Sequence, residues 1–321
     1  MASHFNAATD LPDLTGKVVL ITGATSGLGY PVAQELLRKG ATVYLAARNE
    51  SKAIATISRL EREGLAPGHG KPLWHKLDLE NPHDVKNSAE EFLSRESRLD
   101  ILSTLGKEYG MGPIGVQDIV TVNYISPFLF TKSVLPLMRK TAQQVDTDVR
   151  IVIVASDAHK VISNVQFKTK SDLNGPSTSD RYWYQFVRYA YTKVLDILWM
   201  KELARQLAVS EDGGTNILCL GTHPGAVASE GAYAGVARLP WPLSVLGRVI
   251  LRWFFRTSAD AAATVLIPAA KTELRREKEK YHGRYLVPIG KLSGVSKAAD
   301  NEVLAKELHA LTENILSEEG L

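Results

Sequence analysis

One cysteine, Cys219, stands among 321 residues. That excludes an internal disulfide framework and any cysteine-rich zinc site, and it fits a reducing compartment. No window reaches about 18 uncharged apolar residues, so no membrane-spanning helix is expected. The nearest candidate, 239–255, is interrupted by Arg248 and Arg252. Met1 to Thr15 is polar, carries Asp10 and Asp13, and lacks the basic start and apolar run of a secretory signal. Neither charge dominates: 38 Lys and Arg face 35 Asp and Glu, a net charge of +3. A nucleic-acid partner therefore has no electrostatic support. No linker rich in Gly, Ser or Pro divides the chain, and no repeat or low-complexity tract is visible. The expectation is one domain spanning 1–321, cytoplasmic, with membrane association left open by the 240–256 stretch.

What is present is ordinary globular composition, 45% hydrophobic and 23% charged, enough apolar mass for a large core. Short β-branched runs alternate with helical patterns. Lys17 to Thr22 reads as a strand buried on both faces, followed by a glycine turn and a helix over 28–39. Further strands are expected at 41–46, 72–77, 99–103, 149–155 and 215–220. Helices are expected at 51–63, 82–98 (with Asn81 as cap before Pro82), within 114–140, and at 182–209. This alternation predicts an α/β fold: a doubly wound parallel sheet of the Rossmann type with about seven strands and helices on both faces.

The first turn is Thr22-Gly23-Ala24-Thr25-Ser26-Gly27-Leu28-Gly29. Its glycines allow a tight turn and close approach of a pyrophosphate, and the helix behind offers free N–H donors and a positive dipole end. The spacing differs from G-x-G-x-x-G, but a strand before and a helix after make it a dinucleotide site. The second strand ends in Arg48-Asn49, where an acid would accept from a ribose 2′-hydroxyl; an arginine suits a 2′-phosphate and hence NADP(H). Asp78 and Leu79 follow the third strand and lie where adenine is expected, although Asp78 also reads as a helix cap.

Tyr189 and Lys193 are four apart on one long helix and project from one face. A neighbouring ammonium favours phenolate and makes a tyrosine usable in proton transfer near neutrality. Y-x-x-x-K is common by chance, so its position decides. It follows a strand ending in Ala155-Ser156-Asp157, and the carboxyl ends of parallel strands form the ligand crevice.

These motifs resemble the short-chain dehydrogenase/reductase family, and most of all its retinol-dehydrogenase-like branch. The matching pieces are TGATSGLG at 22–29, LD at 77–78, VNYISPF at 122–128, IVIVASDAH at 151–159, YAYTK at 189–193 and HPGAVAS at 223–229. The resemblance implies an NADP-dependent oxidoreductase that interconverts a carbonyl and an alcohol on a bulky, lipophilic small molecule. By position it implies a catalytic set of Asn123, Ser156, Tyr189 and Lys193. Tyr189 would exchange the proton with the substrate oxygen. Ser156 would hydrogen-bond that oxygen. Lys193 would hold the nicotinamide ribose and depress the tyrosine pKa, and Asn123 would hold a relay water. Gly23, Thr25, Ser26, Gly27, Leu28, Gly29, Arg48, Asn49, Asp78, Leu79, Pro224, Gly225, Val227 and Ser229 would contact the cofactor.

One departure stands out. The family's N-N-A-G turn after the fourth strand is replaced by Ser103-Thr104-Leu105-Gly106-Lys107. That leaves open lost or redirected chemistry, as in an isomerase or a scaffold. The aromatic, basic stretch at 240–256 reads as part of a small helical substrate lid over 226–256, or as an interfacial helix touching a membrane surface. The resemblance allows a homodimer through helices around 115–140 and 181–208, and also a monomer. His159 and His223 read as structural, Asp157 as a turn residue and Cys219 as a buried small hydrophobe. No metal site is expected, and 271–280 reads as a solvated helix end.

Overall fold

The computed structural model describes residues 5–104, 116–175, 182–209, 216–225, 241, 244 and 258–321. In chain order its principal elements are β1 (Val18–Thr22), α1 (Gly29–Arg38), β2 (Thr42–Ala47), α2 (Glu50–Glu63), β3 (Lys71–Lys76), α3 (Pro82–Arg95), β4 (Ile101–Thr104), α4 (Ser126–Ala142), β5 (Val149–Val154), α5 (Tyr182–Ala208), β6 (Ile217–Thr222), α6 (Ser258–Ala270), β7 (Arg284–Val287), β8 (Lys291–Ser293) and α7 (Glu302–Glu318).

The strands form one sheet in the order β3-β2-β1-β4-β5-β6-β7-β8. β1 to β7 are parallel, and β8 pairs antiparallel to β7. The sheet thus has eight strands rather than about seven. β8 is three residues long and exposed, with no apolar run to announce it. Alternate strand residues enter opposite cores. Val18 and Leu20 join the core under α3, α4, α5 and α7, while Val19 and Ile21 join the one under α1, α2 and α6. This is the doubly wound arrangement.

Two polar clamps sit at the amino-terminal edges of the central strands. Asp100 accepts from the Val18 N–H at 2.9 Å and from Arg98 at 2.8 and 2.6 Å. Arg150, fully buried, donates to Asp148 at 2.8 Å and to the Pro268 and Lys271 carbonyls at 3.0 and 2.9 Å, satisfying the last carbonyls of α6. Both lie at the opposite end of the strands from the crevice.

The long apolar helix expected within 114–140 is α4, Ser126–Ala142. A short helix, Asp118–Val120, leads into a π-helical turn, Thr121–Ile125, before α4. There the Ser126 N–H reaches the Thr121 carbonyl, five residues back. Pro127 has no N–H to offer the Asn123 carbonyl four residues earlier, so the ladder changes register at this point. The charged segment at 271–280 folds as two short helices, Thr272–Arg276 and Lys278–Tyr281.

Candidate active site

The strand order reverses between β1 and β4, and the carboxyl ends of the strands there open a crevice. β1 leads into the glycine turn. Gly23 and Gly27 have φ of 67° and 54°, the left-handed region that favours glycine. At Gly29 an added Cβ would lie 2.5 Å from the Gly23 carbonyl oxygen and 2.8 Å from the Ala24 Cα. The turn therefore folds tightly on itself, and Thr25, Ser26 and Leu28 lie half-buried around it. Among the described residues no side chain caps the N-terminus of α1, which leaves its first N–H groups for an anion. A dinucleotide diphosphate fits this cradle.

At the next strand ends, the candidates are partly occupied by their own neighbours. Arg48 is ion-paired with Glu80. Asn49 caps α2, its Oδ1 accepting from the Lys52 N–H at 2.8 Å. Asp78 accepts from the Glu80 N–H at 3.0 Å, which orders the turn that presents Glu80. The Leu79 carbonyl accepts from the Ser126 hydroxyl at 2.8 Å and so ties this edge to the start of α4.

Tyr189 and Lys193 on α5, Ser156 at the turn after β5 and Asn123 in the π turn come from three separate elements. Ser156 caps the short 3₁₀ turn Asp157–Val161, its Oγ accepting from the Ala158 N–H at 3.2 Å. The Lys193 ammonium lies 5.5 Å from the centroid of the half-buried Tyr189 ring. The same ammonium donates to the carbonyl of Val154, the last residue of β5, at 3.1 Å. Asn123, buried in the π turn, donates from Nδ2 to the Thr192 hydroxyl at 3.1 Å, which in turn donates to the Tyr189 carbonyl at 2.8 Å. The Asn123 Oδ1 is buried without a partner among the described residues.

A further layer was not legible as part of the site. His159 is buried, and its Nδ1 lies 2.7 Å from the Ser156 carbonyl. A carbonyl only accepts, so that nitrogen carries the proton. The ring meets Tyr285 of β7 edge-on at 5.4 Å. The Tyr285 hydroxyl donates to Asp157 at 3.2 Å, so Asp157 links β7 to the Ser156 turn rather than standing only in a turn of its own. Burial pushes the Tyr285 hydroxyl up, with Asp157 reinforcing the shift. His159 and His223 are pushed down by burial, which keeps both imidazoles neutral at neutral pH. Asp196, beside Lys193, is a further member; its only signal in the sequence is its place three residues after Lys193.

The segment after β6 begins His223-Pro224-Gly225, with Gly225 at φ 84°. The His223 N–H donates to the Leu286 carbonyl at 2.9 Å, holding this segment against β7. Val227 and Ser229 lie outside the described residues, as does the expected lid at 226–256 apart from Trp241 and Ser244. Cys219 is buried in β6, and burial raises its thiol pKa. Among the described residues no helix is long and apolar enough to cross a membrane, and no cluster of His, Cys, Asp and Glu could hold a metal.

A parallel sheet with a glycine cradle at its switch point, and a lysine that bonds the neighbouring strand end beside a tyrosine of the same helix, defines a fold of the Rossmann type. Comparison with known proteins narrows the class. Residues 17–167 match the short chain dehydrogenase family. The chain is 37% identical over 326 residues to a short-chain dehydrogenase/reductase of Armillaria gallica, across 99% of this chain and 98% of that protein. It is 32% identical over 307 residues to human retinol dehydrogenase 14, across 91% of this chain and 84% of that one. Its fold matches the crystal structure of an uncharacterized protein from Mycobacterium paratuberculosis, with a TM-score of 0.71, 25% identity and 98% of each chain covered. The chain belongs to the short-chain dehydrogenase/reductase family, in its retinol-dehydrogenase-like branch. It is an oxidoreductase of CH–OH groups that binds a nicotinamide cofactor and a small-molecule substrate.

Proposed function

We propose that the chain uses NADP(H) to interconvert a carbonyl and an alcohol on a bulky, lipophilic substrate. The observation that carries this reading is the Lys193 ammonium, which lies 5.5 Å from the Tyr189 ring and also bonds the last carbonyl of β5, two residues before Ser156. Lys193 thereby ties the helix that carries Tyr189 to the strand end that leads into Ser156, which supports the reading.

When bound, NADP(H) gives or takes the hydride. The Gly23–Gly29 turn would hold its diphosphate, Arg48 and Asn49 the ribose-phosphate end, and Asp78 and Leu79 the adenine. Lys193, Pro224, Gly225, Val227 and Ser229 would serve the nicotinamide end. Tyr189 passes the proton to or from the substrate oxygen. Ser156 donates a hydrogen bond to that oxygen and stabilises the charge that develops on it. Lys193 holds a positive charge beside Tyr189. Asn123, with an acceptor to spare, holds the water that returns protons from bulk solvent. The whole chain would act as one unit. The 240–256 part also suits a peripheral contact with lipid, and the exposed Trp241 at its start supports that. The position of α7 over α4 and α5 favours a monomer.

The test is NADPH consumption at 340 nm with a panel of lipophilic ketones and aldehydes. The wild-type chain should consume NADPH, and Tyr189→Phe should abolish turnover while NADPH binding persists. Unchanged turnover in that variant would refute the assignment of Tyr189. A wild-type chain that binds NADPH but consumes none with any carbonyl favours the isomerase or scaffold reading prompted by the Ser103–Gly106 segment.

A further inference from the structure

Lys193 has a second, buried partner. Its Nζ donates to Oδ2 of Asp196 at 2.7 Å as well as to the Val154 carbonyl. The two side chains are 6% and 2% exposed and stand three residues apart on one face of α5. The other Asp196 oxygen, Oδ1, is buried with no hydrogen-bond partner among the described residues. The adjoining Val194, Leu195 and Ile197 are apolar and fully buried. A carboxylate in such a place is costly unless something nearby uses its charge. Among the described residues the only cation that contacts it is Lys193.

We propose that Asp196 is a positioning residue for the reaction, anchoring the Lys193 ammonium as a fixed cation beside Tyr189. Burial alone would drive a lysine at this depth toward neutrality; the Asp196 carboxylate, helped by Tyr189, overrides it and raises the lysine above its ordinary range. Burial pushes Asp196 itself up to about 6, against the pull of Lys193. Both members are therefore ionised at neutral pH, and only the lysine is charged well below pH 6. Other titratable groups stand around the pair. Tyr191 is on α5 itself. Tyr124 of the π turn feels the Asp196 charge, and Glu313 of α7 acts on the same tyrosine. Tyr285 of β7 feels Tyr189. β5 contributes the Val154 carbonyl. None of these supplies a second carboxylate in contact with Lys193, so removing the Asp196 charge leaves burial opposed by Tyr189 alone among the described residues.

The functional weight of this inference rests on the redox reading above, but the pair can be read without turnover. The experiment follows the Lys193 side chain by ¹⁵N and ¹³C NMR through a pH titration of the full chain without cofactor, the resonance being assigned by its loss in Lys193→Arg. In D196N, which keeps an acceptor but not the charge, the Lys193 midpoint should fall by at least about one unit. D196L should lower it further. The alkaline limb of kcat/KM with NADPH should move down by the same amount, whereas a merely structural role would lower activity equally at every pH. A folded D196N with an unmoved Lys193 midpoint overturns the proposal. If neither variant folds, the wild type decides: its Lys193 resonance must inflect near pH 6 as Asp196 takes up a proton, and a flat trace there is equally fatal. A chain that titrates as expected yet consumes no NADPH would remove the redox reading and leave the ion pair standing.

Discussion

Arg48, which closes β2, is ion-paired with Glu80 from the turn after β3. The residue best suited to a 2′-phosphate therefore already faces a carboxylate, held in place by the Asp78 bond to the Glu80 N–H. Both side chains are about half exposed, so the pair itself adds little to stability. With NADP(H) as the proposed cofactor, the 2′-phosphate would have to share Arg48 with Glu80, so the pair would act on discrimination. Glu80→Gln should tighten NADPH by about three- to five-fold and leave NADH nearly unchanged. Arg48→Asp should weaken NADPH by roughly ten-fold or more and spare NADH. Fluorescence titration of the two cofactors reads both, and equal losses for NADPH and NADH would count against a phosphate at Arg48.

The glycine turn separates two kinds of constraint. At Gly29 a methyl group would sit 2.5 Å from the Gly23 carbonyl, and backbone must move to admit it. Gly29→Ala should lower stability by about 2–3 kcal/mol and abolish dinucleotide binding. At Gly27 there is open space, but φ is 54°. Gly27→Ala should cost only about 1–2 kcal/mol, through the left-handed backbone. Denaturant midpoints and NADPH titrations on the two variants give the comparison. Similar losses in both would mean that the turn is not packed on Gly29.

The strands were readable because parallel strands are buried on both faces, which gives continuous β-branched runs such as VVLIT and VRIVIV. Their parallel direction follows from the alternation with helices. What could not be read came from residues whose role depends on distant partners. β8 has no apolar pattern of its own and exists by pairing with β7. The break before α4 depends on Pro127 failing to serve the Asn123 carbonyl, which hydrophobic spacing does not reveal. In the candidate site, the spacing of Tyr189 and Lys193 says only that they share a helix face; it was the place of that helix after the strand ending at Ser156 that singled them out. Tyr285 reaches Asp157 across 128 positions of sequence, and Glu80 finds Arg48 across 32, so neither was visible as a site neighbour.

His75 gives a pH dependence with a definite sign. It is buried among Tyr44, Phe92 and Phe130, and its Nε2 lies 2.8 Å from the Ser88 hydroxyl. That hydroxyl spends its proton on the Lys76 carbonyl, so it accepts from His75, whose other nitrogen is buried without a partner among the described residues. Burial lowers the imidazole from 6.5 to about 4. The unfolded chain thus binds a proton that the folded one refuses. The stability from this site is fully present above pH 6.5 and is lost progressively as pH falls toward 4, by up to about 3 kcal/mol. His75→Gln keeps a donor for Ser88 and removes the titration. The difference between wild-type and variant unfolding free energies, measured from pH 7.5 to 4, should slope through that window. A flat difference would place no proton refusal at His75.

The C-terminal helix bears on assembly. α7 lies over both α4 and α5, the helices through which the family resemblance allows a dimer. The Tyr124 and Thr312 hydroxyls are 2.7 Å apart, the Phe128 and His309 rings are 5.3 Å apart, and Gln206 lies 3.0 Å from the His309 ring nitrogen. Lys132 pairs with Glu313 at the rim. Beneath these, Ala305, Leu308, Ile315 and Leu316 are buried. The apolar faces of α4 and α5 are thus covered within one chain, and a second copy approaching from this side would meet the polar outer face of α7. The full chain should sediment as a single 35.2 kDa species. Leu308→Asp should break the cover, since a carboxylate cannot be buried there unpaired, at a cost of about 3–5 kcal/mol. Loosening α7 would expose Tyr124, Phe128 and Leu198, and the variant should self-associate in sedimentation velocity at concentrations where the wild type does not. A wild-type dimer that persists unchanged in Leu308→Asp would mean that assembly uses another face and that α7 does not stand in for a partner.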